Sequence, residues 1–359
     1  MLNFIIKRIL HGITVLFGVV IIIFLLFNVM PDPARMMLGQ RADLASVDAI
    51  NSDLGRNQSI TKRFLLYLND LSPISINNYK TEASPIFINE QKYGNYLSLI
   101  TLSTEKKIVL KSPYLRRSYQ SKKNVSEILM DALPGTAVLA FSAMLFATII
   151  GILLGIIAAI KKNTLYDRLA LILSGLGTAA PSFFVAVIIA WIFAIVLHRY
   201  TGLNWTGSLY RIDPFEGEIL DLKNLILPTI ALGIRPLSII MQLSRSSMLD
   251  VLSQDYIRTA TAKGLSRYTV IIGHALKNAL NPVLTAVSGW LASLLAGAFF
   301  VETIFSWHGI GKVTVDALGT YDFPVVMGAV LFVAMIFVII NILLDIAYGM
   351  VDPRVRVTG

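Results

Sequence analysis

The residues SWHGIGKV at 306–313 come closest to a phosphate-binding loop, and they fail its pattern. Such a loop needs a glycine five positions before Gly311 and a serine or threonine after Lys312, so that backbone N–H groups and a hydroxyl meet the phosphates and Mg2+. Ser306 and Val313 stand at those positions. His11, His198, His274 and His308 have no metal-ligand spacing, and neither HExxH nor Gly-x-Ser-x-Gly occurs. Cysteine is absent, which excludes disulfides and thiolate metal sites. What remains are ionisable residues inside apolar stretches: Arg235, Glu302 and Asp345. Within a membrane such residues mark ion or substrate paths by default. A proton-coupled carrier could use such a set. The favoured reading is that Arg235 and Glu302 line a water-filled cavity or pair across helices, while Asp345 sits at the interface with Arg354 or Arg356.

The elements that must carry these residues are membrane spans. Of 359 residues 55% are hydrophobic and only 15% charged, with a mean hydropathy of +0.68. A soluble domain usually has about a quarter charged residues, so this chain has apolar surface that a bilayer must cover. Six stretches reach the roughly 20 apolar residues that a helical crossing needs: Ile9–Met30, Leu133–Ile160, Leu169–Leu197, Leu225–Leu243, Leu280–Phe305 and Val325–Met350. The period-2 alternation of a β-barrel is missing. The first stretch is too long for a signal h-region and ends in Met-Pro-Asp-Pro at 30–33 without a small-x-small site, so it reads as a retained anchor. The net charge of +9 does not point to nucleic acid, because the basic residues are spread between apolar spans rather than gathered on one face.

Lysine and arginine in the short loops set the orientation. With the N-terminus inside, twelve fall on the inner side, including Lys161, Lys162, Arg168, Arg245, Arg258 and Lys263. Four fall outside: Arg199, Arg211, Lys223 and Lys312. Both termini are therefore expected in the cytoplasm. Segment 31–132 falls outside, a small folded insert that caps the outer mouth or docks an extracellular partner, with KIVLKS at 107–112 as a possible strand edge. The Asn-x-Ser matches at Asn57 and Asn124 carry no weight. Segment 244–279 falls inside. Tyr256, Ala260 and Gly264 are four apart and would share a helix face, Gly264 would turn the chain, and Val270 to Asn278 would form a second short helix lying against the membrane. Periodicity alone makes this an amphipathic connector.

The residues of that segment carry more. DYIRTATAKGLS (255–266) followed by HALKNALNPVLT (274–285) resembles the cytoplasmic loop of ABC importer permeases, in particular the B-type subunit of the dipeptide/oligopeptide/nickel branch. KRIL, PDPARMMLG, LSRSSMLDVL, VETIFSWHGIG and DPRVR resemble family segments in the same order. Arg258 stands where the general pattern has glutamate, His308 where proline is commoner, and 72–116 looks like an insertion. The resemblance implies an all-α membrane protein of six transmembrane helices with an extracytoplasmic insert between the first and second: an N-terminal helix (1–30), the insert (31–132) and a permease core (133–359). It implies that a coupling helix within 244–279 docks on an ATP-hydrolysing subunit through Tyr256, Arg258, Ala260, Lys263, Gly264 and Leu265. This chain would hydrolyse nothing and bind no cofactor; ATP and Mg2+ would sit on partner ATPases. The implied partners are a second, homologous permease, two ATPases, an external solute-binding protein and membrane lipid. The commonest cargo of the branch is a di- or oligopeptide. An ion-gradient-driven transporter is the alternative, and would show inverted repeats.

Overall fold

The computed structural model describes residues 2–29, 58–81, 84–213, 215, 217–296 and 298–351. The chain opens with α1 (Leu2–Val29) and α2 (Ile60–Leu71), followed by strands β1 (Ile74–Asn78), β2 (Tyr96–Thr101) and β3 (Lys106–Lys111). Next come α3 (Val125–Ile160), α4 (Leu165–Ala179), α5 (Ser182–Val196) and the hairpin β4 (Tyr210–Asp213) and β5 (Gly217–Leu220). The remainder is helical: α6 (Lys223–Leu252), α7 (Asp255–Ala262), α8 (Arg267–Leu295, with a π-helical stretch Val270–Leu276), α9 (Phe299–Ile304), α10 (Ile310–Gly319) and α11 (Phe323–Val351). Five of these helices are long and apolar enough to cross a membrane, namely α1, α3, α6, α8 and α11. The α4–α5 pair makes a sixth crossing if it counts as one bent span.

Three expectations change. The stretch Leu169–Leu197 is not one straight helix: α4 and α5 meet at 110°. Pro181 supplies no N–H and drives the preceding residue out of the helical region, and Ala180 is indeed extended at φ −71°, ψ 133°. The stretch Leu280–Phe305 is displaced, because the span begins at Arg267 and α9 is a separate short helix. Residues 270–278 are thus the first turns of α8, not a second connector helix. The described part is also not purely α-helical.

The fold divides into two compact units. One comprises 13–131 and 314–332. Its sheet is antiparallel in the order β1-β3-β2, so the segment expected at a strand edge is the central strand. The sheet mixes polarities: Ile74, Ile76, Leu97, Ile100 and Leu110 are exposed, while Ser75, Asn77 and Lys111 face inward beside the buried Val109. Asp70 holds that inner side. Its Oδ1 accepts from Tyr93 Oη at 2.7 Å and Lys92 Nζ at 3.0 Å, and Lys111 Nζ donates to the carbonyls of Asn69 and Asp70 at 3.0 Å each. Burial lowers the Lys111 ammonium to about 8, the nearby Asp70 charge opposing the fall.

The other unit comprises 1–12, 132–313 and 333–359. Its core joins Leu139, Ala143 and Ala147 of α3, Ala186 and Ile189 of α5, Leu227 and Ile240 of α6, and Val283 of α8 with Phe305 and Trp307. Glycine lets α3 and α6 approach: a Cβ on Gly151 would lie 3.0 Å from the Leu237 carbonyl, and one on Gly155 would lie 2.7 Å from that of Met241. Such small-residue contacts are how helices pack where lipid supplies no hydrophobic drive. The far side of α3 exposes Phe141, Leu145, Ile149, Leu153 and Ile157, an apolar ridge suited to lipid. Arg8 pairs with Asp345 at 3.0 Å. Arg354 and Arg356, the partners expected for Asp345, lie outside the described residues.

Candidate functional site

α7 is a two-turn helix, too short to stand alone, and packing holds it. Its inner face is Ile257 and Ala260, one turn apart and both buried. They join Ala159 at the end of α3, Met248 of α6, and Val270, Ala275 and Ala279 of α8 in one cluster. The helix thus rests on the ends of three spans. Asn278 Nδ2 donates to Tyr256 Oη at 2.9 Å, tying α7 to α8. At the C-terminal end Gly264 has φ +78°, the left-handed conformation glycine tolerates best, and its N–H reaches Thr261 O at 3.0 Å.

The expected docking residues therefore separate. Tyr256, Arg258, Lys263, Gly264 and Leu265 are exposed. Ala260, at 7% exposure, turns toward the chain's own core and is not available to a partner. Helical spacing put Tyr256, Ala260 and Gly264 on one face; the chain turns at Lys263 and the face does not continue. The sequence reading missed Tyr268, 74% exposed just past the turn. Arg258 is 3.7 Å from Asp255, an exposed pair that contributes little.

Deeper in the same unit, Asp167 and Arg245 form a bidentate pair, Nε to Oδ1 at 2.5 Å and Nη2 to Oδ2 at 2.8 Å. The Asp167 side chain is 3% exposed and also accepts the Asn163 N–H at 2.9 Å. Gln242 Nε2 donates to Ser174 Oγ at 2.8 Å one step along the same helix pair. α4 is thereby locked to the last third of α6, which leads into α7. The sequence held a sign of this in Thr164-x-x-Asp167, a capping-box pattern, but nothing in it named Arg245 as the partner.

Arg235 and Glu302 are not brought together. Arg235 is exposed near the middle of α6 and makes no hydrogen bond or ion pair among the described residues. Glu302 is 0% exposed. Its Oε1 accepts from Thr136 Oγ1 at 2.8 Å and its Oε2 from the Lys312 N–H at 3.1 Å, while the Ile310 N–H donates back to Thr136 Oγ1 at 2.8 Å. Trp307 Nε1 closes the knot on the Gly135 carbonyl at 2.9 Å. The expectation that Glu302 lines a path is corrected: a side chain held by Thr136 Oγ1 and the Lys312 N–H and sealed from solvent organises the fold-back of 302–312.

With this geometry in hand, likeness to known proteins can be placed on it. Residues 151–357 match the profile of the binding-protein-dependent transport system inner membrane component, and residues 1–87 match that of its N-terminal region. The chain belongs to this transport family. Its members are the ABC importer permeases that the 255–285 motif resembles, and the chain is a multi-pass membrane protein of that kind. It is 36% identical, over 99% of its length and all of the relative's, to the dipeptide transport system permease protein DppB of Alkalihalophilus pseudofirmus. To the di/tripeptide transport system permease protein DppB of Pseudomonas aeruginosa it is 34% identical over 99% of both. The Escherichia coli dipeptide permease DppB is 40% identical over 67% of this chain and 76% of its own.

Proposed function

We propose that this chain is the permease subunit of an ATP-driven importer of di- or oligopeptides, and that α7 is where an ATP-hydrolysing partner docks. The observation that carries the reading is the placement of α7. It presents Tyr256, Arg258, Lys263 and Leu265 outward, and its inner residues Ile257 and Ala260 bear on α3, α6 and α8. A push on the outer face is delivered to three spans at once, and through Asp167–Arg245 to α4. Arg258 and Lys263 suit an acidic cleft; since exposed ion pairs are each worth at most about 1 kcal/mol, shape carries most of the docking. Likeness along the whole chain to dipeptide and di/tripeptide permeases supports the cargo class.

In this reading α7 and both termini are cytoplasmic and 31–132 is extracytoplasmic, as the lysine and arginine bias indicates. The α4–α5 pair counts as the sixth span. Six spans make half a channel, so a second, homologous permease completes it, with two ATPases inside and a solute-binding protein outside. Arg235 faces the path between the permeases. No observation favours an ion-gradient carrier.

The test is co-purification from mild detergent. Wild type should bring down a second permease and an ATPase, and Arg258→Glu/Lys263→Glu should lose most of the ATPase while keeping the permease. These two positions are better probes than Gly264, where any side chain strains the backbone whatever lies opposite. Unchanged ATPase recovery by the double variant removes α7 as the docking site. Transport by the wild type without ATP removes the importer reading altogether.

A further inference from the structure

Between Leu227 and Leu252 the exposed side chains of α6 are Arg235, Gln242, Ser246 and Asp250, every one polar. α3, by contrast, turns an apolar ridge outward. The four lie at steps of seven, four and four, one stripe along the helix. Neighbouring helices take much of the rest of the circumference. Gly233 and Leu237 meet α3, the latter through its carbonyl, and Ser238 and Arg245 meet α4. A span whose fully exposed positions are all polar, with its apolar side chains at most partly exposed, suits water rather than lipid on its open side. α8 also carries a polar line, with Asn278, Asn281, Thr285, Gly289 and Ser293 exposed at steps of three and four, although Ile272 and Leu284 are exposed beside it. α6 ends and α8 begins at the cluster that seats α7. Arg235 stands about 20 Å along α6 from Met248, a rise that on α8 leads from Val270 to the neighbourhood of Thr285. Two polar lines therefore pass the same depth, and among the described residues of these two helices the full charge at that depth is Arg235.

A guanidinium at mid-membrane is expensive, by about 3 kcal/mol or more, and is retained where something uses it. Among the described residues nothing pairs with it, and Glu302 is buried and spent on Thr136 and the backbone. Pro236, the next residue, has no N–H to give to Leu232, which leaves a helical carbonyl unmade beside the arginine. We infer that Arg235 is the subsite for the α-carboxylate of the transported peptide, a group every linear peptide carries whatever its side chains. Planar guanidinium and carboxylate match through two parallel hydrogen bonds, and a fixed hold on the terminus leaves the remaining residues unspecified. The inference rests on the permease reading above and gives it a point of recognition.

The chain has no cysteine, so Arg235→Cys, Gln242→Cys and Ser246→Cys can be probed one at a time, with Leu145→Cys on the α3 ridge as a contrast. In the assembled transporter an impermeant anionic thiosulfonate should label the first three and spare the fourth. An unlabelled Arg235→Cys overturns the inference. Recognition is then read by saturation-transfer NMR on the purified permease–ATPase complex without the external binding protein, using Ala-Ala-Ala and its C-terminal amide at millimolar concentration. Arg235→Gln should bind the free acid at least tenfold more weakly than wild type and the amide unchanged, with Arg235→Lys between. Equal loss for acid and amide overturns it, since Arg235 then serves the assembly, for instance by pairing with an acidic residue of the second permease. An unchanged acid affinity overturns it as well. A complex that assembles with its ATPase yet binds neither peptide removes the inference while leaving the permease assignment standing.

Discussion

Replacing Arg245 by methionine keeps an unbranched apolar stem and removes the fork that holds Asp167. The carboxylate, 3% exposed, would keep only the Asn163 N–H. Breaking one side of a buried ion pair typically costs about 3–5 kcal/mol, because the surviving charge is left uncompensated; Arg245 is itself 18% exposed, which argues for the lower end. At roughly 2–4 °C per kcal/mol for a chain of this order of size, the melting temperature should fall by about 6–12 °C. Asp167→Asn should cost less, about 1–2 kcal/mol, since the amide still accepts from Asn163 and the guanidinium can turn toward solvent. The double variant Asp167→Asn/Arg245→Met is decisive, because removing both charges is often nearly neutral. It should melt above Arg245→Met alone, giving a coupling of about 2 kcal/mol. The assay is loss of the monodisperse peak on heating in detergent, followed by size-exclusion fluorescence. If Arg245→Met melts within 2 °C of wild type, or the single effects simply add, the pair is an incidental contact and α4 is not locked to α6 through it.

Gly309 faces the Glu302 knot: a Cβ there would lie 2.5 Å from Oε2 and 2.6 Å from Thr136 Oγ1. Gly309→Ala should destabilise by about 1–3 kcal/mol through overcrowding, whereas Gly319→Ala, with nothing within 4 Å, should not; the same melting assay compares them. Lys111 offers a pH test. Its folded value of about 8 lies below the ordinary lysine value of 10.5, so between pH 8 and about 10 the unfolded chain holds more protons and stability rises with pH. Tyr93 is pushed upward by burial and by Asp70 and keeps its proton across that window. Hydrogen exchange of the β3 amides, corrected for intrinsic rate, should slow over this range in wild type and not in Lys111→Met.

Spans were legible because their signal is length and polarity, both local. The 110° bend was written in Ala180-Pro181, but an apolar run on both sides masks a break that costs hydropathy nothing. The start of α8 was missed for the opposite reason. Arg267, His274, Lys277 and Asn278 depress its hydropathy, although they need only a solvated helix end, and a helix does not stop where its apolar character does. The sheet misleads more deeply. In ISINN and KIVLK alternation assigns the isoleucines and leucines to a core, yet Asp70, Lys92, Tyr93 and Lys111 satisfy one another well enough to hold the polar side inward. That balance is set by partners some 20 to 40 residues apart.

The candidate site divides along the same line. The motif at 255–266 located α7 and its turn at Gly264, because a helix stop and a short amphipathic pattern are local properties. It could not say that Ala260 faces inward, since the register of a two-turn helix is chosen by the span ends it lands on. Arg235 and Glu302 were singled out together as charges in apolar surroundings, and the structure gives them opposite fates. Glu302 has Thr136 and the turn at 309–312 folded onto it, partners drawn from the chain on both sides of more than a hundred residues. Arg235 has a proline beside it and a polar stripe below it, all on its own helix. A buried charge with its partners supplied is structure. A charge at mid-span for which the described residues supply no partner fits the proposed subsite, because the constant anionic group on a linear peptide is its terminal carboxylate.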